Sequence, residues 1–296
     1  MRPPPTGSMN FLILGSGGCT LIPRPCCQCA ICREARKKGI PYARTGPSLF
    51  IEDISVLFDT PEEIAYQLNR ENIHTVDYIF YTHWHPDHTA GMRIVEQMNM
   101  HWSAAYIEGK QPSKKIKICA LPQVMRDLRA IRNRFGSYLD YYERLGLVTP
   151  VSLEKEMPLR IENIDLIPLP VEHSGYVSTV FIIKDQDKKV VYAPCDVKPF
   201  PVNGLMKNVD VLITGGLFPK GTLKGGYPVP DEDRLRKDFF TMDEITEIID
   251  KFKITRTIVV HIEEEYGKSF DDYQKIEEQY TDYNIQFGYD GMKIEP

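Results

Sequence analysis

Three of the seven histidines and one carboxylate fall within six positions, His83-Trp84-His85-Pro86-Asp87-His88. Neutral imidazole and ionised carboxylate are side chains that bind zinc, iron or manganese, and H-x-H-x-D-H offers four of them on one short loop. His83 and His85 can converge on one cation, while Asp87 and His88 can turn towards a second. A lone histidine such as His101 reads as a surface residue. Four ligand types at this spacing read as a metal loop. A second dense cluster is Cys26-Cys27-Gln28-Cys29-Ala30-Ile31-Cys32, four of the seven cysteines. Thiolates spaced C-x-C-x-x-C supply three ligands for a soft cation from one tight turn.

These residues need elements to hold them. Residues 76–81 are β-branched and aromatic and predict a buried strand running into His83, the place where α/β sheets carry their sites. Residues 10–14 predict a strand entering Gly15-Ser16-Gly17-Gly18. That spacing is not G-x-G-x-x-G and no helix pattern follows it, so a dinucleotide site is rejected. Residues 47–52 and 54–58 read as a hairpin. Thr60-Pro61-Glu62-Glu63 predicts a helix capped by Thr60 and closed by Glu63. A helix is expected from Gly91 through Met98, with Met92, Val95 and Met98 inward, then a polar connection at His101 and Trp102. Residues 114–120 predict a strand, 122–135 an arginine-rich helix and 137–145 another. Arg126, Arg129 and Arg132 recur every three residues and read as a solvated basic face, against a lid reading with guanidinium donors for phosphate. Strand patterns follow around 161–168, 181–183, 190–193 and 209–213. Lys220 and Lys224, in a glycine- and proline-rich loop running to Pro230, are candidate contacts to a substrate phosphate, against an ordinary surface loop. Thr241-Met242-Asp243-Glu244 is a capping box before a helix to Phe252, and a last helix spans 270–280.

The metal loop resembles that of the metallo-β-lactamase superfamily, and so do residues along almost the whole chain. Asp59 ends the strand before the loop, His173 lies in Val171-Glu172-His173-Ser174, Asp196 ends Tyr192-Ala193-Pro194-Cys195-Asp196, and His261 ends residues 257–261. The resemblance implies an α/β fold, an αββα sandwich with its site on one rim. It implies that His83, His85 and His173 hold one metal, that Asp87, His88 and His261 hold the other, that Asp196 bridges them, and that Asp59 supports the loop from behind. The glycine turn with Cys27, Cys29 and Cys32 is similar to the PhnP-type phosphodiesterase branch, whose three cysteines bind structural zinc. The branch's fourth ligand is a histidine where this chain has Glu264. Glu264 or Cys26 could complete the set, or the thiols could stand free or pair as a disulfide. The branch's leaving-group acid is a histidine where this chain has Phe239.

The reaction so implied is hydrolysis of a phosphodiester, cyclic ones included, by a hydroxide bridging two divalent metals (zinc, manganese or iron) and supported by Asp87 and Asp196. The alternatives are hydrolysis of a carbon ester such as a lactone or thioester, and a non-catalytic role in cofactor biosynthesis.

Bulk properties narrow the field. In 296 residues the expected ligands run from 83 to 261 and must meet, which favours one domain over residues 9–296 with a helical insertion around 103–160. Hydrophobic residues are 42% and charged residues 26%, ordinary for a globular protein. A net charge of −5 speaks against a nucleic-acid polymer as partner; the resemblance implies a small phosphate-containing substrate, and a homodimer is expected by analogy. No apolar run nears the ~20 residues of a membrane span. Gly7-Ser8-Met9 makes residues 1–8 read as an expression-tag remnant, and the start lacks an export signal. Seven cysteines without one suggest a reducing, cytoplasmic setting.

Overall fold

The computed structural model describes residues 9–229 and 234–296. The tag-like residues 1–8 and Pro230 lie outside the described residues.

Two seven-stranded sheets carry the site. The strands are β1 (Phe11–Gly15), β2 (Ser48–Ile51), β3 (Val56–Phe58), β4 (Tyr78–Phe80), β5 (Ile116–Ala120), β6 (Val148–Ser152), β7 (Leu159–Ile161), β8 (Ile164–Glu172), β9 (Val177–Lys184), β10 (Lys189–Ala193), β11 (Val211–Thr214), β12 (Arg256–Val259), β13 (Ile285–Phe287) and β14 (Lys293–Ile294). The first sheet has the order β14-β1-β2-β3-β4-β5-β6 and the second β13-β12-β11-β10-β9-β8-β7. In each, one half is antiparallel and the other parallel: β3 to β6 in the first, β10 to β13 in the second.

Strand periodicity explains why the sheets stack. Side chains alternate between faces, and a strand covered on both faces must be apolar throughout. In β9, Phe181 and Ile183 enter the core between the sheets, while Val180 and Ile182 enter the core beneath the helices. In β10, Val190 and Tyr192 face one way and Val191 and Ala193 the other. Phe58 sits at the centre of the inter-sheet layer, with ring centroids 5.4 Å from Phe80, 5.2 Å from Phe181 and 5.1 Å from Tyr192. Burying each such ring stabilises the fold by about 1.5–3 kcal/mol, and each edge or tilted pair adds about 0.5–1.5 kcal/mol. Helix Met242–Phe252 covers the second sheet with Ile245, Ile248, Ile249 and Phe252, and helix Pro122–Ala130 packs Val124 and Leu128 against the first. The result is an α/β sandwich of two helical layers around two mixed sheets.

Most expected elements form, with informative exceptions. Thr241 caps its helix through the reciprocal bonds expected of it. Thr60 does not cap: it is buried with its hydroxyl 2.8 Å from the Tyr81 hydroxyl, and the helix begins later, at Ile64–Arg70, without a side-chain cap. The arginine-rich helix stops at Ala130, because Arg132–Asn133 turns back on Gly136–Ser137 as a small hairpin with Gly136 at φ 127°. Trp102–Glu108 is a short helix rather than a polar connection. The helix expected after Gly91 starts earlier, with a turn at Pro86–Thr89, and runs through a 3-10 turn into Ile94–Asn99.

Candidate metal centre

The proposed ligands gather where strands end. Asp59 follows β3, His83 and the loop follow β4, Asp196 follows β10 and His261 follows β12. Asp59, Asp196 and His261 have φ of 58°, 51° and 57°. Left-handed backbone costs a residue with a Cβ about 1–3 kcal/mol and persists where the surroundings enforce it. At three strand ends it turns the side chains to one rim.

Two ligand sets result. One is His83, His85 and Asp196; the other is Asp87, His88 and His261; within each, the ligand atoms lie within 4.8 Å of one another. Asp196 Oδ2 is 3.2 Å from His85 Nδ1 and 3.6 Å from His83 Nε2. His261 Nε2 is 3.2 Å from Asp87 Oδ2 and 3.4 Å from His88 Nε2. Asp59 is fully buried behind them. It accepts from the Thr82 amide and hydroxyl, both at 2.8 Å, and lies 2.8 Å from His88 Nδ1. Holding Nδ1 leaves Nε2 of His88 as the ligand atom.

Charge at the rim follows from these contacts. Burial, then the neighbouring imidazoles, hold His83 well below its ordinary range, so it is neutral and its lone pair is free. Burial opposes charge on His88, but Asp59 outweighs it and pushes the pKa up to about 10. Burial likewise opposes the Asp87 carboxylate, and His261 and His88 outweigh it and hold it below the usual carboxylate range. The donors fit a cation: Nε2 of the fully buried His83 has no hydrogen-bond partner among the described residues. A buried polar atom left so costs about 1–3 kcal/mol, which a bound cation would remove.

His173 is not brought into either set. Its Nε2 lies 2.8 Å from the Asp196 carbonyl and 3.2 Å from the Ser178 hydroxyl. Its ring stacks on Tyr176 at 4.6 Å, and the Tyr176 hydroxyl donates to Asp196 Oδ2 at 2.7 Å. Tyr176 escaped the sequence reading, as did Glu263, whose Oε1 is 3.3 Å from His261 Nδ1 and accepts from the Cys19 amide at 3.0 Å. A carboxylate two positions after the last histidine was the available signal for Glu263. Gly18 explains the glycine turn: a Cβ there would come within 2.0 Å of Glu263 Oε1 and 2.6 Å of His261 Nδ1.

The cysteine cluster lies apart. Cys27, Cys29, Cys32 and Glu264 each turn one ligand atom to a common point, all within 4.8 Å. The three thiols donate to Glu264 Oε1 at 3.5, 3.2 and 3.2 Å. Glu264 is the fourth member of this group, while Cys26 is exposed and outside it, and all the cysteines are free thiols. Without a cation, burial pushes the Cys32 thiol up to about 12. Burial opposes the Glu264 carboxylate and the Lys224 ammonium outweighs it, taking the pKa down to about 2. Lys224 is therefore engaged here, paired with Glu264 and 3.4 Å from Cys27 Sγ, rather than at the histidine rim. Lys220 is exposed, its ammonium 5.9 Å from the Tyr280 ring centroid. The arginine helix is occupied too: Arg129 pairs with Asp140 and Glu143, and Arg126 bonds Gln123.

A family model described as β-lactamase superfamily domain matches residues 55–262. The chain belongs to this superfamily. Among solved structures of the fold, a diphosphatase of the PhnP family is 21% identical, with TM-score 0.71 over 98% of this chain and 97% of that one. Zinc-bound PqqB from Methylobacterium extorquens is 15% identical, with TM-score 0.69 over 97% and 100%. At such identities the likeness shows the β-lactamase superfamily fold. One curated relative matches, an octanoyltransferase of Porphyromonas gingivalis (strain ATCC BAA-308 / W83), 23% identical over 168 residues, 56% of this chain. The chain covers only 31% of that relative's length. No helix among the described residues is long and apolar enough to cross a membrane. Superfamily membership and the ligand sets together support a metal-dependent hydrolase.

Proposed function

We propose that this chain is a single-domain phosphodiesterase of the PhnP type, acting on a small phosphate-containing substrate with two divalent cations at the histidine rim and zinc in the cysteine cluster. The observation that carries the reading is the meeting of two three-residue ligand sets on one rim, His88 Nε2 and His261 Nε2 being 3.4 Å apart. His83, His85 and Asp196 would hold one cation and Asp87, His88 and His261 the other, with His173 joining the first by a turn of its ring. Bound there, the cations supply Lewis acidity for phosphoryl oxygens and bring a water's pKa from 15.7 towards ~7.

The protein's own part is positioning and proton handling. Asp59 fixes His88 through Nδ1, and the Glu263 carboxylate lies 3.3 Å from His261 Nδ1. Phe239 has no proton to give and stacks on Phe218 at 5.1 Å. The Tyr176 hydroxyl stands at the rim instead. Burial and the Asp196 carboxylate keep it protonated well above the ordinary tyrosine range. It is the proton-bearing group we assign to the leaving alkoxide.

Metal-loaded protein incubated with cyclic and linear phosphodiesters and diphosphates, followed by phosphorus NMR, tests the reading. Turnover that His83→Ala abolishes supports it; no turnover of any of them refutes it.

A specific observation favours a second reading, hydrolysis of a carbon ester or thioester. A cavity of about 530 Å³ opens beside the metal loop, lined by Trp84, Pro86, Met92, Ile131, Tyr138 and Tyr142. It suits an apolar acyl group, and the curated relative's name refers to an octanoyl group. Turnover of octanoyl thioesters in place of diesters would decide for it.

A further inference from the structure

One buried thiol belongs to neither reading so far. Cys195 lies between Pro194 and Asp196 on the segment leaving β10. Its sulfur and the ligand nitrogens of His83 and His88 all lie within 4.8 Å of one another. It therefore neighbours one histidine of each ligand set, His83 of one and His88 of the other. Asp196 is placed differently. Its Oδ2 meets His83 and His85 at 3.6 and 3.2 Å and takes the Tyr176 hydroxyl at 2.7 Å. An atom that bonds both cations must lie near ligands of both sets, and the Cys195 sulfur, beside His83 and His88, meets that condition.

Two observations independent of the thiol agree. The fully buried His83 Nε2, in the same three-residue group, has no hydrogen-bond partner among the described residues. Gly215 is the residue that lets the Cys195 segment reach His261: a Cβ there would come within 2.0 Å of the Pro194 carbonyl and 2.6 Å of the His261 Cβ. The close approach at this point is built into the backbone.

We infer that Cys195 is a ligand of the metal centre, a thiolate set between the two cations and additional to Asp196. This rests on the two-cation reading above. On binding, the S–H bond breaks, the proton passes to solvent, and the sulfur lone pairs form the metal–sulfur bonds; nothing is oxidised or reduced. Thiolate is a soft donor, so the rim selects zinc or iron(II) over manganese. A centre of histidine and carboxylate alone would select less sharply.

The test uses the whole chain with zinc in the cysteine cluster and cobalt(II) loaded at the rim, metal content being counted in the same sample. X-ray absorption at the cobalt edge then reads the rim alone. A sulfur scatterer at the cobalt edge, and a thiolate-to-cobalt charge-transfer band that Cys195→Ser loses, are expected. The variant is also expected to lose at least ~10-fold of the zinc-over-manganese preference. Rim cobalt with only nitrogen and oxygen neighbours overturns the inference while leaving the two-cation reading intact. A rim that takes up no cobalt overturns both. The absorption arm needs no variant, so a misfolded Cys195→Ser does not block the decision.

Discussion

The cysteine cluster draws three of its four residues from the turn Cys27 to Cys32 and closes with Glu264, whereas the histidine rim gathers its residues from the carboxyl ends of strands in both sheets. The first set is complete: four donors around one point leave a tetrahedral cation no open position. The second is split into two sets around neighbouring points, so that a water or a substrate oxygen would meet two cations at once. Location tells the same story. The cluster ties the chain's early loop to the segment after β12 and is shielded by Lys224. A cavity lies against the metal loop at Trp84 and Pro86, the sequence neighbours of His85. The one arrangement is suited to fastening the chain and the other to presenting metals to a substrate.

Damage to each centre should have a different signature. The largest effect is at the rim: His83→Ala or Asp196→Ala should lower turnover by about three orders of magnitude or more, since a metal's charge stabilisation is worth several kcal/mol. Circular dichroism and cluster zinc should not change. A variant that keeps its activity after chelation and reloading would break the distinction. Tyr176→Phe should cost about 10²–10³-fold on diesters with alkoxide leaving groups and little on activated aryl diesters, as loss of a general acid does. Equal loss on both would make Tyr176 a holder of Asp196 only. Asp59→Asn should weaken rim metal affinity about 10–100-fold, read by competition with a chelator, and leave the cluster's zinc in place.

Cys29→Ser should do the converse. Cluster zinc is lost and the melting temperature falls by on the order of 10 °C, because binding energy at a structural site is folding energy. Turnover per rim-loaded molecule stays within about twofold, an effect this small marking the site as structural.

The smallest effect is on pH dependence. In metal-free protein Asp59 raises the His88 pKa to about 10. A raised histidine pKa gives stability that is fully present below the ordinary value of 6.5 and is lost as pH rises through about 10. Thermal unfolding of metal-free protein should therefore show stability declining from neutral pH to 10 more steeply than in Asp59→Asn. Metal loading should reverse the trend, since the cation binds the neutral ring and must displace that proton.

The parts of this account that sequence made legible are those set by local spacing. H-x-H-x-D-H, C-x-C-x-x-C and the Thr241 capping box each act within one turn or loop. The strands were legible too, through apolar runs such as Phe181-Ile182-Ile183 that only two-sided burial explains. What stayed hidden depends on pairs far apart in the chain. Thr60 has a capping sequence, yet Tyr81 from the next strand takes its hydroxyl. Glu263, Tyr176 and Cys195 carry no motif; each gains its role only when β10 and β12 end on the same rim. Lys224 looked available for a phosphate until the fold placed it on Glu264.

The most direct test of the two-centre account is an anomalous diffraction map from crystals of the zinc-loaded protein. The account predicts two peaks about 3.5–4 Å apart at the rim. One should lie against His83, His85 and Asp196 and the other against Asp87, His88 and His261. A third, separate peak is predicted amid Cys27, Cys29, Cys32 and Glu264. An empty rim beside an occupied cysteine cluster would contradict it.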